Sequence, residues 1–259
     1  QGLMASNGVL GGSLTNISAP IGQTSPASAT TSVSVAGNFN SEAPVITAVD
    51  PNNPTAAELA DPANAGSVVT NTLSVYDSLG TKHDLTLVSW KTGANTWEAK
   101  IDPTGLNYDS TQPYSFGPGA QSSPAGATTP WQFTFNSDGT VNATSSNLPN
   151  ITFTPSGGGA AVSLKLNPGS GSTGVTSLAA ANSAVLSNQN GYASGVLQTV
   201  AIGPDGTVTG AFSNGTSQTL GQIALADFNN PEGLTQGADS MYTVSANSGT
   251  PLIGYSGKD

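Results

Sequence analysis

The sequence predicts an all-β protein built from two sandwich-like or barrel-like domains, with one domain inserted into the other. Apolar and polar residues alternate along many short stretches, which is the period of a strand with one buried face. Asp-Gly and Asn-Gly pairs separate several of these stretches, and such pairs are typical of tight hairpin turns. Helical periodicity is nearly absent. The best helix candidate, residues 177–186, is short and rich in Ala, Ser and Asn.

The composition excludes several classes of function. Only 8% of the 259 residues are charged, all five basic residues are lysines, and the net charge is −10. A chain this acidic neutralises few phosphates, so we expect neither nucleic-acid binding nor attachment to anionic membranes. Cysteine is absent, which excludes thiol catalysis and cysteine-ligated metals.

The N-terminal part begins with a weak pattern that sharpens along the chain. Residues 1–30 are rich in Gly, Ser, Ala and Thr, which fits either a loose linker or an extended strand laid on a neighbouring element. The alternation of Val33, Val35 and Phe39 with small or polar residues predicts one half-buried strand. Residues 41–67 contain four prolines and several acids, so they predict a loop or linker.

The middle of the chain predicts an antiparallel meander and further short strands. Alternating residues and short turns between residues 73 and 101 give three consecutive strands. Residues 102–130 are rich in Pro, Gly, Ser and Thr and predict a loop. Three more strands are expected at residues 131–135, 151–153 and 162–166.

The C-terminal part predicts a second meander. Between Asn188 and Leu234, apolar runs are separated by Asp205-Gly206 and Asn214-Gly215, so hairpins are expected at both pairs. The stretch contains no Cys, His, Arg or Lys, and it therefore specifies a shape while offering little chemistry.

Three tryptophans suggest how the chain is divided. Trp90, Trp97 and Trp131 all fall in the middle region, and burial of such side chains contributes roughly 2–3 kcal/mol each. The middle region therefore has the ingredients of its own core. We expect an inner domain made of residues 1–40 and 186–259, with an outer domain, residues 41–185, inserted into it.

No catalytic site is predicted. His83, the only histidine, lies between Lys82 and Asp84 and is interpreted as a solvated turn residue, since no nucleophile or orienting partner has suitable spacing. Glycosidases use two facing carboxylates, and the first meander offers four acids for such a pair. These are Asp77, Asp84, Glu98 and Asp102.

Metal, phosphate and glycan sites are also not expected. Asp50, Glu58 and Asp61, together with Asn52 and Asn53, do not follow the spacing of a calcium loop, so a solvated acidic linker is favoured. The glycines at 203–206 and 213–215 lack the strand–loop–helix context of phosphate loops and are interpreted as turns. Asn-x-Ser/Thr sequons arise by chance in a chain so rich in these residues; they occur at Asn16, Asn142, Asn150 and Asn214.

Two segments resemble bacterial flagellar hook proteins. Residues 75–97 carry the motif YDSLG and, downstream, NTW. Residues 188–254 carry NGY, DGTVTGAFSNG, LGQIALADF and NPEGL in the order found in the C-terminal part of that family. The two segments cover about a third of the chain, and the second is long and ordered, which makes the resemblance specific.

The resemblance implies a structural, non-enzymatic subunit of the extracellular flagellar hook, without cofactor or metal. Its implied partners are further copies of itself and the rod, hook-cap and hook–filament junction proteins, and the implied route of secretion is flagellar type III export. Terminal helical segments known in the family are not recognisable, so the chain is expected to be a central fragment that is monomeric alone. The alternative is a carbohydrate-binding or adhesive surface module that uses Trp90, Trp97 and Trp131 as a stacking platform.

Overall fold

The computed structural model describes residues 2–6, 9–19, 21–50, 53–116, 122–123, 131–144, 146–148, 150–238 and 240–255. The predicted all-β class is confirmed, because strands dominate and the α-helical and 3-10 segments have only three or four residues each. The strands are β1 Gly2–Ser6, β2 Val9–Thr15, β3 Thr24–Ser25, β4 Ser32–Ala36, β5 Asn38–Asn40, β6 Val68–Tyr76, β7 Lys82–Gly93, β8 Thr96–Asp102, β9 Tyr114–Ser115, β10 Ser122–Ser123, β11 Trp131–Thr134, β12 Ile151–Phe153, β13 Val162–Asn167, β14 Thr176–Leu178, β15 Val185–Gln189, β16 Gly195–Ile202, β17 Thr207–Phe212, β18 Ser217–Asp227, β19 Thr235–Gln236, β20 Tyr242–Thr243 and β21 Leu252–Tyr255. The helical segments are α1 Ala56–Leu59 and the 3-10 turns Pro62–Asn64, Gly171–Thr173 and Pro231–Gly233. In the described ranges, no helix has the length and apolar character needed to cross a membrane.

The chain forms two compact units. The continuous unit is Ala27–Ala193, and the discontinuous unit combines Gln1–Pro26 with Ser194–Asp259. These limits differ from the domain limits at 40/41 and 185/186 that the sequence suggested. The reason is that β4 pairs with both β13 and β15, which keeps all three strands in the continuous unit.

The continuous unit contains two main sheets. The four-stranded sheet has the order β11-β8-β7-β6 and includes the predicted three-stranded meander, which is confirmed in antiparallel register. The six-stranded sheet has the order β10-β9-β12-β13-β4-β15. One hydrophobic cluster joins side chains of both sheets, such as Trp97 and Ile101 from the first and Val33 and Leu164 from the second.

The predicted burial of the tryptophans is confirmed. Trp90, Trp97 and Trp131 are each 0% exposed. Trp97 stacks on Phe39 with ring centroids 4.6 Å apart. Phe39 precedes the outer domain predicted at residues 41–185, yet it belongs to the aromatic core of the continuous unit.

The single strand predicted around Val33–Phe39 is interrupted at Gly37. Its φ is +97°, and a Cβ at this position would lie 2.2 Å from the Ser183 carbonyl oxygen. Only glycine accepts this conformation in that space. The chain therefore leaves β4 and begins a separate pairing, in which β5 runs parallel to β14.

The weak helix candidate at residues 177–186 does not form a helix, in agreement with the all-β prediction. This segment contains the end of β14 and the start of β15. The Asn38 side chain donates to the Leu178 and Ala180 carbonyls and accepts from the Leu178 N–H. These long-range bonds satisfy backbone groups that a helix would have paired locally.

The discontinuous unit is built on a seven-stranded sheet. Its order is β2-β1-β18-β17-β16-β3, and β21 also pairs with β18. The predicted meander with turns at Asp205-Gly206 and Asn214-Gly215 is confirmed as β16–β17–β18, and both glycines have positive φ. Of the two interpretations of residues 1–30, the extended one is correct, since β1, β2 and β3 join this sheet.

The segment at 41–67 is mainly loop, as predicted, but it contains α1. Thr55 and Glu58 form a capping box, in which each side chain accepts from the other residue's backbone N–H. The Thr-x-x-Glu spacing that signals such a cap is visible in the sequence.

Candidate functional site

The two units differ in how completely they bury their apolar side chains. The hydrophobic cluster of the protein lies entirely in the continuous unit. Among the described residues of the discontinuous unit, the buried large hydrophobics are Leu197, Val208 and Phe212. Several large apolar side chains on the described strands of this sheet are instead exposed.

Strand register places much of this surface on one face of the sheet. Directly paired residues of antiparallel strands project to the same side, and alternate residues of one strand share a face. Ile202 pairs with Val208, and Val200 pairs with Gly210. These pairs put the exposed β16 side chains on the face that carries buried Val208.

The same face continues across β18 to β21. Val208 pairs with Gly221, so Leu225, four residues further along β18, shares its face. Asp227 is two residues beyond Leu225 and pairs with Leu252. Val200, Ile202, Leu225 and Leu252, which we call the aliphatic face, are 36%, 63%, 54% and 73% exposed.

Four exposed aliphatic side chains on one sheet face form the main candidate site. A single exposed aliphatic residue is ordinary, whereas large contiguous apolar patches are typical of interaction surfaces. The alternation of β16–β18 predicted strands but did not reveal which apolar residues would stay uncovered.

The YDSLG segment forms a turn that a buried pair holds. Asp77 Oδ1 accepts from the backbone N–H groups of Leu79 and Thr81, each at 2.9 Å. Asp77 Oδ2 lies 3.0 Å from His83 Nε2. Burial raises the pKa of Asp77, but hydrogen bonds from His83 and the two backbone N–H groups outweigh it and leave the pKa below its usual value.

The interpretation of His83 as a solvated turn residue is therefore wrong. His83 is 4% exposed, it is the second residue of β7, and its ring packs edge-on against Phe153 at 5.6 Å. Its orienting partner is Asp77, not the neighbouring Asp84. Because both groups are enclosed, a substrate cannot reach the imidazole. The pair therefore stabilises the turn, and its acid–base chemistry is not accessible to a substrate.

The other acids of the meander also have local structural roles. Asp84 is exposed and accepts from the Ser74 hydroxyl at 2.8 Å, and Asp102 accepts from the Thr104 N–H at 2.9 Å. Glu98 is 2% exposed. A glycosidase needs two accessible carboxylates. Asp77 and Glu98 are both buried, so they do not form such a pair.

The acids of 41–67 act mainly as caps. Glu58 closes the capping box and also accepts from the Val49 N–H at 2.7 Å, and Asp61 accepts from the Ala63 N–H at 2.8 Å. Asn52 lies outside the described residues. Across the described ranges, no group of three or more His, Cys, Asp or Glu side chains is arranged to hold a metal ion.

The Asn-Gly-Tyr motif binds the two ends of the continuous unit together. Asn190 Oδ1 accepts from the backbone N–H groups of Thr31 and Ser32, at 2.9 and 3.0 Å. A Cβ on Gly191 would lie 2.3 Å from Thr30 Oγ1 and 2.7 Å from Thr30 N, so only glycine fits there. Sequence reasoning did not assign this role, although the Asn-Gly pair signalled a special backbone position.

In two of the four sequons, the Asn side chain closes a local turn by a hydrogen bond to the residue two positions further on. Asn142 Oδ1 accepts from the Thr144 N–H, and Asn214 Oδ1 accepts from Thr216. The glycines at 203–206 and 213–215 form hairpin turns, as predicted. The tryptophans proposed as a sugar platform are fully enclosed, so none presents a ring face to a ligand.

Comparison with known proteins relates the sequence of this chain to one family. The profile of a family described as flagellar basal body protein FlaE D2 domain matches residues 38–192. The flagellar hook protein FlgE of Salmonella typhimurium is 36% identical over 236 residues, which are 89% of this chain and 51% of that protein. FlgE of Escherichia coli is 36% identical over 251 residues, 95% of this chain and 54% of that protein.

More distant relatives carry the same description. FlgE of Helicobacter pylori is 31% identical over 189 residues, 70% of this chain and 24% of that protein. A crystal structure of Helicobacter pylori flagellar hook protein FlgE2 covers 72% of this chain and 39% of its own, with 20% identity and a TM-score of 0.47. The chain spans about half the length of the first curated relatives it matches.

Proposed function

Because this chain belongs to the flagellar hook protein family, we propose that it is the central part of a structural subunit of the bacterial flagellar hook. The hook is the extracellular curved tube that passes motor torque to the filament. The observation that carries this proposal is the family match at residues 38–192, which lie inside the continuous unit, Ala27–Ala193.

The proposed partners are further copies of the same protein in a helical polymer, and the rod, hook-cap and hook–filament junction proteins at its ends. Head-to-tail contacts that do not close on themselves build such tubes. We assign the inserted domain to the outer surface of the tube. We assign the domain formed by the flanking segments to a position nearer the tube axis. No enzymatic step is part of this function.

The composition of the surface suits a tube that bends. With only 8% charged residues, contacts between subunits would consist mostly of neutral hydrogen bonds worth roughly 0.5–1.5 kcal/mol each. Such bonds exchange readily for one another, whereas fixed ion pairs would resist sliding. The packed core of the continuous unit keeps the subunit itself rigid during the exchange.

We assign the aliphatic face to contact with another copy of the hook protein. Burial of Val200, Ile202, Leu225 and Leu252 from their exposed state would contribute roughly 1–2 kcal/mol each. The sum is comparable with the roughly 4–15 kcal/mol lost when two molecules associate. A single contact of this kind does not hold a dimer, so this chain alone should be monomeric in light scattering at micromolar concentration.

Antibody labelling tests the function directly. Antibodies raised against this chain should decorate the short hook between cell body and filament in electron micrographs of the organism that makes it. Label along the cell envelope, with unlabelled hooks, would refute the proposal and would favour the adhesive module.

A paired substitution tests the aliphatic face. Replacing Ile202 and Leu225 with serine in the full-length protein should leave secretion intact and reduce hook length or number. Leu79→Ser provides the control, because Leu79 is 61% exposed in the continuous unit. Normal hooks from the double variant would show that this face is not an assembly contact.

A further inference from the structure

One edge of β16 is covered over only part of its length. Gly195 and Val196 pair with β3, and the Leu197 N–H donates to the Gln23 carbonyl at 2.7 Å. Further along the strand, residues 198–202 pair with β17 alone within the described ranges of the chain. All of these residues are exposed, although a strand inside a sheet usually buries alternate side chains. We call residues 198–202 the open edge.

The open edge presents backbone groups for hydrogen bonding. The Gly203 N–H donates to the Thr207 carbonyl at 2.8 Å, so this N–H is directed towards β17. Successive residues of a strand direct their backbone groups to opposite edges, and the pairing with β17 is regular from Thr199 to Ile202. Val200 and Ile202 therefore direct their N–H and C=O groups away from β17.

The sequence of the open edge lacks the features that protect edge strands from pairing. Natural edge strands avoid unwanted partners through charged side chains, prolines, bulges or a covering loop. Residues 198–202, QTVAI, include neither a charge nor a proline, and the register shift of β16 lies before Thr199. Val, Ile and Thr are also good strand formers. The open edge is therefore suited to pairing with a further strand.

A second copy of the protein is the occupant that the sheet favours. Val200 and Ile202 belong to the aliphatic face, which is assigned to contact with another copy, so a strand added beside them extends that contact. The other end of the sheet is β2, which pairs with β1 alone among the described strands. A sheet with an open strand at each end can extend head to tail from copy to copy, and such contacts do not close on themselves.

We propose that the open edge of β16 is extended by a strand from a second copy of this protein, which forms a sheet shared between neighbouring subunits. This assignment rests on the proposed hook function. The added strand accepts from the N–H groups of Val200 and Ile202 and donates to their carbonyls. Because so short an edge makes few hydrogen bonds, the pairing forms only inside the polymer, where other contacts hold the copies together.

Hydrogen exchange of the full-length protein, free and in purified hooks, tests the proposal. Hooks are exchanged in deuterated water and dissociated, and the amides are then read by NMR of the monomer. In the free protein, the amides of Val200 and Ile202 should exchange rapidly, whereas those of Thr199 and Ala201, which face β17, should exchange slowly. In hooks, the Val200 and Ile202 amides should slow by at least about tenfold, because they gain hydrogen bonds.

Two results of this experiment would overturn the proposal. Rapid exchange of Val200 and Ile202 in hooks would show that no strand covers the open edge there. Slow exchange of both amides in the free protein would show that another part of the same chain covers it. Either result on hooks that the antibody decorates would remove the shared sheet and keep the hook function, whereas undecorated hooks would refute the function itself.

A pair of substitutions at Val200 separates the backbone bond from the side chain. Val200→Ala removes most of the side chain and keeps the N–H, whereas Val200→Pro also removes the N–H. Proline is tolerated where a strand N–H faces outwards, so the pairing with β17 should survive. Cells with Val200→Pro should carry severalfold fewer hooks than cells with Val200→Ala, at equal urea midpoints of the purified proteins. Equal hook numbers would overturn the proposal, and hydrogen exchange of the native protein decides it if Val200→Pro does not fold.

Discussion

Removal of the Asp77 carboxylate should weaken the continuous unit more than any exposed acid does. Asp77→Ala deletes the acceptor for two backbone N–H groups at 2.9 Å and leaves His83 Nε2 buried without its partner at 3.0 Å. The free energy of unfolding should fall by roughly 3–5 kcal/mol, because buried polar groups lose their hydrogen bonds. Asp77→Asn keeps an oxygen for the backbone bonds and loses the charge beside His83, so a loss of about 1–2 kcal/mol is expected.

Urea unfolding followed by tryptophan fluorescence measures these losses, since all three tryptophans are buried in the continuous unit. Asp84→Asn is the matched control, because Asp84 is exposed and pairs with exposed Lys82 at 3.6 Å. Such pairs contribute about 0–1 kcal/mol. The reasoning fails if Asp77→Ala costs no more than Asp84→Asn.

The same pair gives a pH signature. The pKa of Asp77 is lowered in the folded state, so its contribution to stability is present above the ordinary pKa of an aspartate. It is lost as the pH falls through the lowered value. The difference in stability between the native chain and Asp77→Asn should therefore shrink in acid.

Two further predictions concern packing. Gly191→Ala should lower the free energy of unfolding by about 2–4 kcal/mol in the same urea-unfolding assay, because its methyl group meets Thr30. Gly157→Ala is the control, because the space around Gly157 is open, and it should change stability by less than about 1 kcal/mol. Tryptophan emission should be blue-shifted and should not respond to added sugars, since the three rings are enclosed. Quenching or a spectral shift on sugar titration would instead support the adhesive module.

Local features of the sequence predicted most strands and turns correctly. Hairpin turns at Asp205-Gly206 and Asn214-Gly215 depend on glycine's access to positive φ, which is a property of one or two residues. The meander of β6, β7 and β8 follows from strict alternation between short turns. Burial of the three tryptophans was also predictable, because their apolar area outweighs alternative placements.

Features that depend on distant residues were not predicted. His83 is in phase with Leu85 and Leu87, so the alternation of β7 places it on the buried face. What the sequence did not show is its partner, because Asp77 receives it only after the turn closes. The weak helix candidate at 177–186 gave no sign of its actual pairing, since Asn38, far away in sequence, binds the backbone there. The uncovered side chains of the aliphatic face and the open edge of β16 were likewise not visible in any motif.

The sequence by itself determined that this chain is all-β, where its hairpins turn, and which family it resembles. Only the tertiary structure decided the parallel pairings of β4 with β13 and β5 with β14, and therefore the limits of the two units at 26/27 and 193/194. The physical reason is that alternation reports that a strand has a buried face, whereas the identity of the covering element depends on contacts between residues more than a hundred positions apart.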